Sequence, residues 1–398
     1  MEKIQIIFIK IGNLINFLIN SLMIKIIHLQ KRHIKENTLL LIRLDSIGDF
    51  VLVQNFFNIL RTDSIYGKYN ITLCGNIIWK DLAEYCNMET RLLKNTFNNF
   101  IWINRKKFKW NFPYKFKVLK QVYLSGYEVA IETIFSREIL FGDTIIKASK
   151  AKERIGSTGS PENKGKWKRK LFTDEYYTKL ITQSEENLFE FYRNKEFFEK
   201  LLKKKISISK PVLDFTSVKL NLPVTKDYIV IVPGAQEKSR RWSEKKFASL
   251  IKFLLSDYQY DIVLVGAVAE KEIAKRILEE IHSERVHDFC GKTTLTELGK
   301  IISMAKLLIS NETSSVHFAA ALNIRFICIS NGQRFGRFTP YPKEMNLTYE
   351  YIYPEYIEKR LNNTAELAEE FKFHSKFDAD EISFERVLTA VKKFLEQN

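Results

Sequence analysis

Residues 228–234 read YIVIVPG, and three more short apolar runs follow: DIVLVG (261–266), LLIS (307–310) and RFICIS (325–330). Each is too short for a helix, rich in branched side chains and followed by a turn signal. Between them, Glu244 to Leu255, Glu270 to Ile281, Thr296 to Ala305 and Val316 to Leu322 carry apolar residues at helical spacing. Strands alternating with helices predict a parallel sheet covered on both faces. Working outward, TLLLIRL (38–44) reads as another buried strand. The turn Asp45-Ser46-Ile47-Gly48-Asp49 follows it, and Phe50 to Arg61 then has helical spacing. Ile71 to Leu73 and Val129 to Ile131 are further strand candidates, and Glu185 to Lys204 is a helix. Residues Ser207 to Lys226 are irregular, with Pro211 and Pro223, and mark a boundary. The fold class is therefore α/β, in two halves, one over 38–222 and a second over 223–375. A last helix, Ala379 to Gln397, closes the chain. Two such halves predict a ligand in the cleft between them, at the carboxyl ends of the strands.

Composition narrows the partners. The 398 residues hold 63 Lys+Arg against 47 Asp+Glu, a formal net charge of +16. That excess favours an anionic partner: nucleic acid, an anionic membrane face or a phosphorylated substrate. At 45% hydrophobic and 28% charged residues the chain can build a packed core, which excludes wholesale disorder. Cys74, Cys86, Cys290 and Cys328 lie far apart and form no C-x-x-C pair. No His or Cys cluster has zinc-ligand spacing, so buried free thiols are expected, with no metal and no cofactor.

The stretch Ile4 to Leu29 is largely apolar, but Lys10 and Lys25 leave only Ile11 to Ile24 uncharged. That is shorter than the roughly 20 residues a membrane span needs. The basic run Lys31-Arg32-His33 and the lack of a small-residue cleavage site disfavour a signal peptide. On a helical wheel Lys3, Lys10, Asn13, Asn16 and Asn20 share one side, and Ile4, Ile11, Ile15, Leu18 and Leu22 the other. Residues 1–37 thus read as an amphipathic helix in a membrane interface, its cations meeting anionic headgroups. The alternative is a helix packed on its own protein.

Three strand ends carry chemistry. Asp49 lies in the first turn of a helix, just after Gly48. There its carboxylate is compatible with the helix dipole, and it could accept a proton from a substrate hydroxyl. The plain alternative is a helix-start cap, and Asp45 competes within the same turn. The loop from Pro233-Gly234 to Trp242 holds Lys238, Arg240 and Arg241, cations suited to a phosphate group or simply solvated. The turn Asn311-Glu312-Thr313-Ser314-Ser315 enters a helix whose N-terminus could bind an anion, or is an ordinary hydroxyl cap. His317 in that first turn suits a structural hydrogen bond better than acid–base work. No G-x-G-x-x-G follows the first strand, and neither G-x-x-x-x-G-K-[ST] nor G-x-S-x-G occurs.

Taken in order, IRLDSIGDFVL, VPGAQEKSRRW, LVGAVAE and FCGKTTLTELGKIISMAKLLISNETSSVHFAAAL resemble glycosyltransferase family 9, the ADP-heptose:lipopolysaccharide heptosyltransferases. The resemblance covers roughly 38–61 and 228–341, with a weaker echo at Glu153-Arg154-Ile155-Gly156. It implies a GT-B architecture: two Rossmann-like domains facing a cleft, with the C-terminal helix (376–398) returning to the N-terminal domain. It implies inverting, metal-independent transfer from a nucleotide-diphosphate sugar. On the same resemblance Asp49 matches the general base, and Arg240 a lysine that meets the diphosphate. Glu270, in Gly-Ala-x-x-Glu, matches an acid that holds the ribose, and Thr293 a contact to the base. Glu312, Thr313, Ser314 and Ser315 match a turn at the donor phosphates and sugar. Glu312 stands for the usual Asp, Ser314-Ser315 for a glycine-containing pair and Arg240 for Lys. These departures leave heptose or another hexose open as the donor sugar.

An acceptor surface follows from Arg105, Lys106, Lys107 and Lys109, interleaved with Trp102, Phe108 and Trp110. A second run, Lys164 to Lys170, surrounds Trp167. Such patches suit single-stranded nucleic acid or an anionic lipid surface. With the family resemblance, an anionic glycolipid such as a lipopolysaccharide core is expected, not nucleic acid. The enzyme would then be cytoplasmic and peripheral on the inner face of the membrane. Competing readings are a catalytically idle protein of the same fold that binds nucleotide sugar or polyanion, and a nucleotide-sugar epimerase.

Overall fold

The computed structural model describes residues 2–90, 93–160, 172–224 and 226–396, with side chains from residue 11 onward. The chain divides into two compact units. The first holds Met1–Glu186 and Tyr192–Ser207, the second Asn187–Phe191 and Ile208–Asn398. The division falls at 207/208, earlier than the boundary expected at 222/223. The residues between are irregular, as Pro211 and Pro223 suggested, but the contacts of 208–222 are with the second unit.

The sheet of the first unit has strands β1 Lys35–Arg43, β2 Asn70–Asn76, β3 Asn99–Ile103, β4 Tyr127–Glu132, β5 Glu153–Ser157 and β6 Lys179–Ile181. Their order is β3-β2-β1-β4-β5-β6, and every pairing is parallel. β1 is central and buried on both faces from Leu39 to Arg43, which is why TLLLIRL reads as an unbroken apolar run. Leu40 and Ile42 meet one apolar cluster, joined by Phe108, Val118, Leu119 and Val122. Strands β3, β5 and β6 escape the sequence reading because they are short, and NFIWI and ERIGS are half-buried and mixed in polarity.

The second unit repeats the plan with β7 Tyr228–Val232, β8 Asp261–Leu264, β9 Val286–Asp288, β10 Leu307–Asn311, β11 Phe326–Ile329 and β12 Tyr349–Ile352. The order is β12-β11-β10-β7-β8-β9, again all parallel. The architecture is α/β with two Rossmann-like parallel sheets, as expected. Helix Glu244–Asp257 buries Phe247, Leu250, Ile251 and Leu254 at 3.6-residue spacing. The last helix, Phe384–Glu396, packs within the second unit. Val387, Ala390, Val391 and Phe394 join the apolar core of the second unit beside Ile329 and Ile352. Arg325 also donates to the carbonyl of Phe394.

The N-terminal helix spans Glu2–His28. Its two faces have the expected composition but face the reverse of the usual way. Asn16 and Asn20 are buried, whereas Ile11, Ile15, Leu18 and Leu22 are about half-exposed. Lys3 and Lys10 lie outside the described side chains, as does the basic run of 164–170.

Candidate functional site

In the first unit β1 delivers Asp45 and Asp49 at its carboxyl end. Asp45 is tied back: its Oδ2 lies 2.6 Å from Nε of the fully buried Arg43. Arg43 also donates to the Thr133 carbonyl at 3.1 Å and to Asn194 Oδ1 at 3.0 Å. A buried guanidinium without its carboxylate would be costly, so Asp45 is best explained as its counter-ion. Asp49 sits at the third position of helix Ile47–Arg61, and its Oδ2 accepts from the Ser46 N–H at 3.2 Å. It is therefore a helix-start cap, and one that stands in the first turn at the strand end. Gly48 before it is buried.

The backbone of this turn is clamped from three sides. Asn76 Nδ2 and Trp79 Nε1 both donate to the Asp45 carbonyl, at 3.0 and 3.1 Å. Trp79 stacks on Phe50 with centroids 4.5 Å apart. Arg105 donates to the Leu44 carbonyl at 2.7 Å, pairs with Glu138 at 2.7 Å and lies over the Phe141 ring. Grouped with the acceptor cations by its sequence, Arg105 is thus occupied in holding the Asp45–Asp49 turn. Lys106 and Lys107 beside it are exposed, and Lys109 has its ammonium 5.0 Å from the Trp110 ring centre.

In the second unit four strand ends converge. Asn311, fully buried at the end of β10, donates to the Pro233 carbonyl at 2.7 Å and accepts from the Trp242 N–H at 3.0 Å. It ties the loop after β7 to β10, a role its place in a hydroxyl-rich turn did not disclose. Glu270 lies between the ends of β7 and β8. Its Oε2 accepts from the Ala267 N–H at 2.7 Å. A Cβ on Gly234 would sit 2.2 Å from Glu270 Cδ, and one on Gly266 2.6 Å from Glu270 Oε2. Both glycines are therefore required by the close approach of that carboxylate.

Arg240 pairs with Glu312: its guanidinium donates to Glu312 Oε1 at 3.1 Å and to the Glu312 carbonyl. Glu312 Oε2 accepts from the Ser330 hydroxyl at the end of β11. The extra methylene of Glu312 lets one carboxylate bridge the β11 end and the β7 loop. Arg241 donates to the Ala235 carbonyl at 2.6 Å and shapes the loop. Thr313 caps helix Ser314–Leu322 by accepting from the Ser315 N–H at 3.3 Å, and contacts Ser310 Oγ at 3.2 Å. Ser314 is half-buried and Ser315 buried at the helix entrance. Thr293 follows β9, half-buried and immediately before the Thr294 cap of the next helix. His317 Nδ1 meets the Tyr341 hydroxyl at 2.8 Å. Burial, then the charge of Arg240, pushes its imidazole down to about 4, so it is neutral and structural, as expected.

The sequence matches the family model described as glycosyltransferase family 9 (heptosyltransferase) over residues 144–368, more than half of the chain. The chain belongs to glycosyltransferase family 9. Among curated relatives, the lipopolysaccharide heptosyltransferase 2 of Escherichia coli K12 is 28% identical over 144 residues, covering 35% of this chain and 41% of that protein. The lipopolysaccharide heptosyltransferase 3 of Escherichia coli is 31% identical over 108 residues, covering 27% of this chain and 32% of that protein. The matched region thus spans well under two thirds of these relatives. In fold the likeness runs further. The solved Escherichia coli ADP-heptose lipopolysaccharide heptosyltransferase II superposes with a TM-score of 0.61 at 18% identity, covering 90% of this chain and 99% of that one. The family 9 enzyme of Veillonella parvula gives 0.66 at 15%, covering 92% and 99%. An Escherichia coli heptosyltransferase solved with ADP gives 0.66 at 16%, covering 90% and 99%. Family 9 membership thus rests on the second unit and the end of the first, and the fold on both.

Proposed function

We propose that this family 9 protein is an inverting, metal-independent glycosyltransferase. It moves a heptose or related sugar from a nucleotide-diphosphate donor to a lipopolysaccharide core or similar anionic surface glycan. The observation that carries the reading is the second unit's arrangement. A carboxylate seated between two glycines and an arginine at a neighbouring strand end match, residue by residue, the ribose and diphosphate contacts the family resemblance implies. The acceptor oxygen attacks the anomeric carbon while its proton passes to the Asp49 carboxylate. The bond from that carbon to the diphosphate oxygen breaks, and the nucleoside diphosphate leaves. Arg240 and the N-terminus of helix Ser314–Leu322 offset the charge that develops on the leaving group. Glu270 holds the ribose, and Thr293 stands where the base is met. Glu312 acts through Arg240, fixing the guanidinium rather than meeting the sugar. Lys106, Lys107 and Lys109 meet the acceptor, and Arg105 positions the turn that carries Asp49. The enzyme works at the cytoplasmic face of the membrane as a peripheral protein.

The pairing of Arg240 with Glu312 favours one competing reading, an idle protein that binds nucleotide sugar without transferring it. One experiment separates the two. ADP-heptose and related donors are offered to the full chain with a truncated lipopolysaccharide acceptor, and both donor binding and transfer are followed. Asp49→Ala is expected to abolish transfer and leave donor binding nearly intact. Transfer at a normal rate in that variant removes Asp49 as the base, and donor binding without transfer by the natural sequence establishes the idle reading.

A further inference from the structure

The N-terminal helix is built inside out for a surface helix. Its inward face runs Asn16, Asn20, Ile24 and Ile27, all buried. The polar half of that face is locked by one cation. Lys115, fully buried on helix Phe112–Ser125, donates to Asn16 Oδ1 at 2.6 Å and to Asn20 Oδ1 at 2.8 Å. Asn16 Nδ2 in turn donates to the Lys109 carbonyl at 2.5 Å, and Asn20 Nδ2 to Thr144 Oγ1 at 3.3 Å. Burial and the nearby Lys109 charge lower the Lys115 ammonium to about 8, so the lock is held against a desolvation cost. The apolar half, Ile24 and Ile27, belongs to the core of the first unit.

The outward face is an apolar stripe with Lys25 along one side of it. Ile11, Leu14, Ile15, Leu18, Leu22 and Ile26 are each between 47% and 59% exposed. Only 22% of the window Ile11–His28 is buried. A soluble monomer rarely leaves such a contiguous stripe facing water. We propose that this stripe is an interfacial anchor for an anionic lipid bilayer, inserted apolar side down with the helix lying in the membrane plane.

Charge selects a lipid surface over a second copy of the chain. No acidic residue occurs between Glu2 and Glu36 or between Glu89 and Glu128. These two stretches supply the helix and helix Phe112–Ser125 packed against it; the other segment against it, Ile139–Ser149, holds one acidic residue, Asp143, which is fully buried and paired with Arg137. Lys25 lies on the border of the stripe, one turn from Leu22 and Leu29, and is exposed. Trp110, 54% exposed, has its ring 3.6 Å from where a side chain would start at Gly12, so an aromatic flanks the stripe beside Lys109. Apolar stripe, rim cations and an amphipathic aromatic are the three features an interfacial helix uses. Two such faces brought together would instead oppose like charges. Spanning is disfavoured as well, because it would tear Asn16 and Asn20 from Lys115 and leave all three in hydrocarbon. A helix of 27 residues is about 40 Å long, enough for several turns of contact along the surface.

This inference rests on the membrane part of the proposed function and is independent of the transfer chemistry. The test is flotation of the full chain with vesicles of phosphatidylglycerol and phosphatidylethanolamine, and in parallel with phosphatidylcholine alone. The natural sequence is expected to float with the anionic vesicles and at least tenfold less with the neutral ones. The triple variant Leu14→Glu, Leu18→Glu, Leu22→Glu is expected to lose at least tenfold of the anionic binding, while its melting temperature and monomeric mass stay unchanged. A second measurement does not depend on that variant folding. A fluorophore on Leu18→Cys, with the four natural cysteines buried, should shift to the blue on adding anionic vesicles. Unchanged flotation by the triple variant, or a Leu18 probe that stays in water on floated protein, overturns the assignment of this face but leaves membrane association standing. No flotation of the natural sequence removes the membrane reading itself. A dimer that the triple variant converts to monomer transfers the stripe to a second copy and overturns the lipid assignment.

Discussion

Replacing Gly234 by Ala should weaken donor binding through Glu270 alone. The added Cβ would stand 2.2 Å from Glu270 Cδ and 2.3 Å from Oε1, where ordinary contact begins at 3.4 Å. Something must yield by about 1 Å. The backbone at Gly234 is held by Asn311, whose amide binds the Pro233 carbonyl at 2.7 Å, so the flexible carboxylate is the part that moves. Its other side is closed by the Ala267 N–H at 2.7 Å and by Gly266, so moving costs that hydrogen bond too. If Glu270 holds the donor ribose, the displaced carboxylate loses one charge-assisted hydrogen bond, worth about 1.5–3 kcal/mol. That converts to roughly 10- to 100-fold weaker binding. The assay is calorimetric titration of ADP into four forms of the full chain: unchanged, Gly234→Ala, Glu270→Ala and the double variant. The double variant should bind no more weakly than Glu270→Ala, because the alanine then has nothing to displace. Equal losses from Gly234→Ala in the presence and absence of Glu270 would refute the reasoning. So would unchanged binding in Gly234→Ala itself.

Three further outcomes follow from the geometry. Asp49→Asn should lower transfer by about 10²–10⁴-fold with donor affinity nearly constant, and a normal rate in single-turnover assays would exclude the base assignment. His317 is held near 4 when folded but regains its ordinary 6.5 when unfolded, so the unfolded chain binds the extra proton first. Stability is thus fully present above pH 6.5 and falls by up to about 3 kcal/mol as pH drops towards 4. Urea melts of His317→Asn should lack that share of the decline, and parallel curves for the two proteins would sink the claim. Lys115 titrates in the same sense at higher pH: its folded value near 8 lies below the ordinary 10.5, so the cost of burying the ammonium is complete below pH 8 and vanishes as pH rises towards 10.5. Relative to Lys115→Met, the natural chain should gain up to about 3 kcal/mol across that window, and a constant difference would show that the lysine does not titrate there.

The paired alternating blocks were legible because a strand buried on both faces must be apolar along its length, and only a few residues long. Strands β1, β7, β8, β10 and β11 satisfy this and were found. The edge strand β9, Val286–Asp288, is half-buried and three residues long, below what periodicity can register. At the site, Asp49, Arg240, Glu270 and the 312–315 turn were readable as strand-end residues. What partners them was not. The buried pairing of Asp45 with Arg43 distinguishes the two carboxylates of one turn, and it depends on Thr133 and Asn194, far off in sequence. Arg105 looked like any cation of a basic patch until its bonds to Leu44 and Glu138 placed it under the Asp49 turn.

By itself the sequence determined the α/β class, the family and the identity of the strand-end side chains, because these depend on local runs and on ordered motifs. It also determined that the first helix has two unlike faces. Tertiary structure alone decided which face looks outward. A wheel reports the separation of polar from apolar residues but not what lies opposite them. Lys115, remote in sequence, supplies buried donors that draw Asn16 and Asn20 inward and leave Ile11, Ile15, Leu18 and Leu22 outside. The same limit applied to the last helix, whose apolar stripe is plain in sequence. Its partner, the core of the second unit, is a property of the fold.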